Sequence, residues 1–171
     1  MGLIDFVKSA GAKLLGRDEE KAVQQEAAQA GGDAGMDAMV ENLRRKKVEA
    51  RLKLHVEGLG LEIENAGFSY DGETVTVTGQ VASQEVREKV VLAVGNHEGV
   101  SAVDDQIEVT NPEPEAVFYT VKSGDTLSKI ALEQYGKASK YPVIFEANRP
   151  MLEHPDRIYP GQVLRIPPID G

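Results

Sequence analysis

The apolar residues of the N-terminal third recur at helical spacing. Residues 3–15 place them three or four positions apart, at Leu3, Phe6, Val7, Ala10 and Leu14. This spacing predicts a short amphipathic helix that Gly11 interrupts. After a connector rich in Glu, Gln and Ala, a second helical pattern covers residues 33–56. Its Met and Leu stripe, at Met36, Met39, Leu43 and Leu52, is interpreted as the face that packs on the core.

The next segment alternates apolar and polar residues. This alternation predicts strands at 59–63 and 74–78. Between the strands lies the pair Asp71-Gly72, which suits a tight hairpin turn because glycine readily adopts positive φ. Gly79 is expected to end the second strand.

A further helix and a third strand are predicted after the hairpin. Ser83 is expected to cap the helix, and Gly95 is expected to end it. Its valines at 86, 90, 91 and 94 share one face, which predicts that the face is buried. A strand is predicted at 101–109, and the proline-spaced stretch after it predicts a linker.

The C-terminal pattern is strand, helix, helix, strand. Residues 118–121 predict the first strand, and Asp125 is expected to cap the helix that follows. The second helix is predicted at 140–147, where Pro142 is tolerated in the first turn. The closing strand is predicted within 158–167.

Composition narrows the class of protein. A chain of 171 residues suffices for two small domains, and the formal net charge of −9 disfavours binding to nucleic acid. The absence of cysteine excludes disulfides and cysteine metal sites. No run approaches the roughly 20 apolar residues of a membrane span. Because residues 1–16 lack a secretory-signal pattern, we expect a cytoplasmic protein. We also expect a monomer.

The sequence also contains no recognisable set of catalytic or metal-binding side chains. His55, His97 and His154 lack the spacing of a transition-metal site. Asp104 and Asp105 are neighbours in a predicted strand, so their side chains point to opposite faces. We therefore predict that the protein is not an enzyme.

The segment 33–109 resembles the BON domain family. The resemblance is carried by the order helix, strand, strand, helix, strand, by the Asp-Gly hairpin and by the glycine that ends the second helix. Members of this family are mostly binding modules, so the resemblance implies binding.

The segment 118–171 is similar to the LysM family. The similarity is carried by the runs 119–127 and 158–167 and by Asn148. LysM modules bind N-acetylglucosamine-containing glycans such as peptidoglycan, in a groove between the loop after the first strand and the loop before the last. The resemblance assigns to this groove Gly124, Asp125, Thr126, Leu127, Asn148, Arg157, Ile158 and Tyr159. The same residues also have structural explanations as caps, core and turn.

The combination of both domains behind a leading segment resembles a family of bacterial cytoplasmic potassium-binding proteins. It implies K⁺ as the ligand and a conformational change on binding. Potassium is well matched by neutral carbonyl oxygens, which become available where helices end. The main-chain oxygens assigned to the ion are those of Val7, Ala10, Ala12, Gly95, His97 and Val100. Without the resemblance, Gly11 and Gly95 are plain helix stops.

The sequence thus predicts an α+β protein of four parts. They are a leading amphipathic helix and connector (1–32), a BON-like αββαβ domain (33–109), a linker (110–117) and a LysM-like βααβ domain (118–171). The favoured function is a cytoplasmic potassium sensor or buffer. The alternative is a peptidoglycan-binding cell-envelope adaptor that uses the LysM groove, with a glycan or a protein as partner.

Overall fold

The computed structural model describes residues 2–6 and 34–170 and has the α+β class predicted from the sequence. Its strands are β1 (Gly2–Asp5), β2 (Glu64–Tyr70), β3 (Thr74–Ser83), β4 (Ala102–Asn111), β5 (Val117–Thr120) and β6 (Val163–Ile166). Its α-helices are α1 (Ala34–Gly58), α2 (Gln84–Gly95), α3 (Leu127–Tyr135) and α4 (Tyr141–Ala147), with a 3₁₀ turn (Ala138–Lys140) before α4.

The first unit is a four-stranded sheet in the order β1-β4-β3-β2. β3 and β4 are parallel and joined through α2, whereas the other two pairs are antiparallel. α1 packs on β2, and α2 packs on β3 and β4. The fully buried core side chains include Leu52, Val56, Val75, Val77, Val90, Val94 and Val103. The buried valine face predicted for the helix after the hairpin is therefore confirmed at residues 90, 91 and 94 of α2.

Local signals placed the hairpin and the ends of α2 correctly. Asp71 accepts hydrogen bonds from the amides of Glu73 and Thr74, and Gly72 has φ 113°. The Ser83 hydroxyl accepts from the Val86 amide at the start of α2, and Gly95 is the last residue of the helix. These features are confirmed because each depends on residues within a few positions of one another.

The helix predicted at residues 3–15 is wrong over its first residues, and the rest lies outside the described residues. Gly2–Asp5 forms β1, in which Leu3 pairs with Asp104 and Ile4 pairs with Val103. Four residues are too few for their spacing to separate helix from strand. Here the open edge of β4 decides, because it supplies backbone partners that a helix would not use.

The strand predicted at 59–63 also begins too early. Leu59 and Gly60 form a turn after α1, and β2 starts at Glu64, beyond a stretch in which Leu61 is buried. β3 does not stop at Gly79 but continues to Ser83. Gly79 keeps φ 138° within the strand, and a Cβ atom at this position would lie only 2.8 Å from the Glu64 carbonyl oxygen. The glycine therefore serves close packing and does not end the strand.

The Met and Leu stripe of α1 is not a core face along its whole length. Met36, Met39 and Leu43 are exposed, whereas Leu52 and Val56 are fully buried. The sheet is shorter than the helix, so only the C-terminal half of α1 has a surface to cover. A helical pattern alone does not reveal where that surface ends.

The second unit has the predicted βααβ order. β5 and β6 pair antiparallel, and a separate core forms beneath α3 and α4 around Leu127, Ile130, Ile144 and Leu164. α4 carries Pro142 in its first turn, as predicted. The cap of α3 is Thr126 and not Asp125, because the Thr126 hydroxyl accepts from the Lys129 amide.

Two asparagine side chains cover the edge of β6 that faces away from β5. Asn96, just after α2, donates to the Val163 carbonyl oxygen and accepts from the Val163 amide, both at 2.9 Å. Asn148, just after α4, pairs in the same way with Arg165, at 2.8 and 2.7 Å. A side-chain amide offers one donor side and one acceptor, so each asparagine replaces the backbone of an absent neighbouring strand.

A buried ion pair adds to this joint between the two units. Arg165 of β6 contacts Glu88 of α2, and the two residues are only 8% and 4% exposed. Glu88 also accepts hydrogen bonds from the side chain of Gln84 and from the Ala116 amide. Val163 belongs to the core of the first unit. The two units therefore pack as one body along α2 and β6.

We predict that Arg165→Met lowers the free energy of unfolding by about 3–5 kcal/mol, because it leaves the Glu88 carboxylate buried without its cation. Urea denaturation of the full chain measures this change. The matched control is Arg149→Met, which removes a half-exposed arginine paired with Glu146 and should change stability by about 0.5 kcal/mol or less. Equal effects of the two substitutions would contradict the structural role given to the ion pair.

Candidate metal centre

The last residue of α2 and the loop that follows it carry three of the main-chain oxygens predicted to bind an ion. This α2–β4 loop spans residues 96–101 and begins where Gly95 ends the helix. It closes on a turn in which the Val100 amide donates to the His97 carbonyl oxygen at 3.2 Å, and Gly99 has φ 85°. The positive φ at Gly99 lets the chain reverse within this short segment.

Almost every part of the α2–β4 loop is held by a different element. Asn96 pairs with Val163 of β6, and the Tyr70 hydroxyl donates to the Gly99 carbonyl oxygen at 2.9 Å. Ser101 donates its amide to the Glu73 carbonyl oxygen at 2.8 Å. The loop backbone is consequently fixed before any ligand arrives, as an oxygen-lined site requires.

His97 contacts the end of α1. Its ring meets the His55 ring edge to face, with 5.9 Å between the ring centroids. Burial and then the neighbouring His97 lower the pKa of His55 below its ordinary value. The lowered pKa favours the neutral form of His55 beside the loop.

Phe6 joins the N-terminal strand to the start of the loop. Its amide donates to the Ser101 carbonyl oxygen at 2.8 Å, and its ring is buried against Gly95. A Cβ atom on Gly95 would overlap this ring, so the position needs glycine for space. Gly95 therefore both ends the helix and leaves the space that the Phe6 ring occupies.

The carbonyl oxygens at this end of the molecule suit a cation. Among the described residues, the backbone hydrogen bonds outside the helices and strands include none to the carbonyl oxygens of Gly95 or Val100, and the His97 oxygen retains a second lone pair. The C-terminus of a helix carries partial negative charge, and the last turn of α2 contains no basic residue. The loop therefore presents neutral oxygens in a field that favours positive charge.

The other three predicted ion ligands cannot be placed. Val7, Ala10 and Ala12 lie outside the described residues, so their assignment stays a prediction, as does that of Gly95, His97 and Val100. The structure adds two residues that sequence reasoning missed at this site, Phe6 and Asn96. The helical spacing at the N-terminus concealed the role of Phe6, and no local pattern marks Asn96.

The acidic pair of β4 takes no part in this region. Asp105 is buried and accepts hydrogen bonds from Arg87 and from the Ile107 amide. Asp104 accepts from the Gln106 side chain. Among residues 2–6 and 34–170, no three His, Asp or Glu side chains form a group suited to a metal ion.

The predicted glycan groove divides into structural and exposed residues. The amide of Gly161 donates to Val121, and the Val121 amide donates to Gln162, so both loops lie at one end of the β5–β6 pair. The exposed members of the predicted set are Gly124, Thr126, Arg157 and Tyr159.

The other predicted groove residues maintain the fold. Leu127 is 2% exposed and lies in the core, where the half-buried Ile158 packs against it. Asn148 is also 2% exposed. Its side-chain amide donates to the carbonyl oxygens of Ile144 and Arg165 and accepts from the Arg165 amide. Asp125 accepts hydrogen bonds from the Lys122 amide and the Tyr119 hydroxyl. Burial, followed by the bond to Asp125, raises the pKa of Tyr119 to about 12.

Comparison with known proteins agrees with both units. The family model described as BON domain matches residues 41–111, and the model described as LysM domain matches residues 119–167. The potassium binding protein Kbp of Escherichia coli O6:H1 is 43% identical over 168 residues, which cover 98% of this chain and 99% of that protein. The chain belongs to the Kbp family.

A second relative shares only part of this Kbp-family chain. An uncharacterized protein of Deinococcus radiodurans is 40% identical over 108 residues, which are 56% of this chain and 42% of that protein. Neither matched domain family is an enzyme family. None of the described helices is long and apolar enough to span a membrane.

We predict that Gly95→Ala destabilises this Kbp-family chain by about 1–3 kcal/mol, because the new methyl group displaces the buried Phe6 ring. Urea denaturation measures the change. Gly58→Ala is the matched control: it lies at the end of α1 with open space around it, and we expect no loss of stability. A double variant with Phe6→Leu should recover part of the loss. Equal stability of the two glycine variants would contradict the assigned packing.

Proposed function

We propose that the protein binds potassium ions through main-chain carbonyl oxygens at the end of α2. The observation that carries the proposal is the pair of carbonyl oxygens of Gly95 and Val100, to which no described residue outside the helices and strands donates a backbone hydrogen bond, at a loop held by contacts to Tyr70, Val163 and His55. The likeness in sequence to a protein named for potassium binding supports it. Neutral oxygens suit K⁺ because it is large and weakly hydrated, whereas small divalent ions prefer carboxylates.

The N-terminal segment completes the proposed site. Phe6 rests against Gly95, and the proposed ligand Val7 follows it directly in the chain. We propose that oxygens of Val7, Ala10 and Ala12 join those of Gly95, His97 and Val100 around one ion. We further propose that the protein acts in the cytoplasm as a monomeric sensor or buffer and has no enzymatic activity.

Calorimetric titration of the metal-free protein tests the proposal. We expect saturable heat with potassium chloride, and no saturable heat with sodium, magnesium or calcium chloride at matched ionic strength. Gly95→Ala should weaken potassium binding because it moves Phe6 and the chain that follows, whereas Gly58→Ala should not. Potassium heat that is absent, or that sodium reproduces, would refute the carbonyl site.

We also propose that ion binding changes the contact between the two units. Asn96 lies between two proposed ligands, Gly95 and His97, and its side chain holds Val163 of β6 with two hydrogen bonds. Any reorientation of the peptides on either side of Asn96 therefore acts on β6. Such a shift requires that the ion bind the two arrangements with different affinity.

The coupling predicts potassium-dependent amide chemical shifts in β6. Saturating potassium should shift the Val163 amide in the unaltered protein. In Asn96→Ala, potassium should no longer change the amide chemical shifts of β6, but it should still change those of residues 97–100. Asn111→Ala, which removes an exposed amide bonded to Ala82, serves as the control and should respond like the unaltered protein. If potassium changed the β6 chemical shifts in Asn96→Ala as much as in the unaltered protein, the proposed coupling through Asn96 would be wrong.

A second candidate function is glycan binding through the LysM unit. Tyr159 is 37% exposed at the end where the two loops meet, and Arg157 is exposed beside it. An exposed aromatic ring next to a cation is a suitable surface for a sugar. Retention of the purified protein on insoluble peptidoglycan, lost in Tyr159→Ala, would favour this function, and it requires export of the protein.

A further inference from the structure

One buried side chain near the α2–β4 loop has no hydrogen-bond partner. Among the described residues, the hydroxyl oxygen of Ser101 is the one buried side-chain nitrogen or oxygen atom without a partner. Burying a hydroxyl without a hydrogen bond costs free energy, and native proteins rarely leave such a group unpaired. An unpaired hydroxyl therefore calls for a ligand or a functional reason.

Ser101 lies where the loop, the sheet and the N-terminal strand meet. Its amide donates to the carbonyl oxygen of Glu73 just before β3, and its carbonyl oxygen accepts from the amide of Phe6 just after β1, both at 2.8 Å. Its neighbours in the chain, Val100 and Ala102, are 5% and 6% exposed. The backbone of Ser101 is therefore fixed from both sides, and its hydroxyl changes position only by rotation about χ1.

The position links this oxygen to the proposed ion. Val100, a proposed ligand, precedes Ser101 directly, and Phe6 connects Ser101 to Gly95 through one hydrogen bond and one ring contact. A hydroxyl oxygen has two lone pairs and no net charge, so it belongs to the same ligand class as a carbonyl oxygen. No acidic side chain is needed to complete such a site.

We propose that the Ser101 hydroxyl oxygen is a side-chain ligand of the potassium ion, beside the main-chain oxygens of Gly95, His97 and Val100. This inference rests on the proposed function. The ion supplies the partner that the fold itself does not offer to this hydroxyl. Ser101 thereby increases the advantage of the bound over the free state in two ways: it contributes an oxygen to the ion, and it destabilises the free state.

The test compares potassium affinity and ion-free stability in three variants of the full chain. Ser101→Ala removes the oxygen, Ser101→Thr retains it, and Ser69→Ala removes an exposed hydroxyl from β2 of the same sheet. Calorimetry with potassium chloride gives the affinity. Thermal unfolding in potassium-free buffer gives the stability, and the rise in Tm on adding potassium gives an independent measure of binding.

The two measurements should move in opposite directions in Ser101→Ala. We expect potassium affinity to fall about three- to tenfold, since one uncharged ligand is lost. The ion-free Tm should stay equal or rise, because an unpaired buried hydroxyl is removed. Ser101→Thr should bind more tightly than Ser101→Ala, and Ser69→Ala should match the unaltered protein in both measurements.

The outcomes separate this inference from the function on which it rests. Potassium binding that is equal in the unaltered protein and in Ser101→Ala would overturn the ligand role and leave the carbonyl site intact. A Ser101→Ala protein that loses affinity and ion-free stability together would also overturn it, because the hydroxyl would then be structural. Failure of the unaltered protein to bind potassium would instead refute the proposed function.

Discussion

The packing of α2 against β6 is the constraint on which the rest of the structure depends. β6 pairs with β5 on one side only, and its other edge would be left with unpaired backbone groups. Asn96 and Asn148 cover that edge, and the buried Arg165–Glu88 pair fixes its position along α2. Two units that each form a small core are thereby joined through polar groups that are satisfied only when both are present.

The joint places strict demands on the α2–β4 loop. Asn96 has to face β6, so the peptides on either side of it have little freedom, and the rings of Phe6 and His55 contact the flanking residues. Carbonyl oxygens are weak ligands one at a time, and they bind an ion well only when several are already oriented. The same contacts that join the units therefore prepare the oxygens of the loop.

The LysM unit shows how a family motif can be retained for its structural value. Asn148, Leu127 and Asp125 belong to the motif, and each is engaged within the fold by hydrogen bonds or core packing. What remains for a ligand is the exposed surface at Gly124, Thr126, Arg157 and Tyr159. A match to the motif therefore supports the fold of this unit more strongly than it supports glycan recognition.

The sequence by itself determined the class, the order of most elements, the Asp71-Gly72 turn, the Ser83 cap and the stop at Gly95, since each depends on neighbouring residues. It also pointed to the carbonyls after α2 through the resemblance to a family. Only the tertiary structure decided that residues 2–5 form a strand, that Phe6 occupies the space above Gly95, and that Asn96 holds Val163, 67 residues away. These depend on edges and cavities built by distant parts of the chain, and a local pattern carries no information about them.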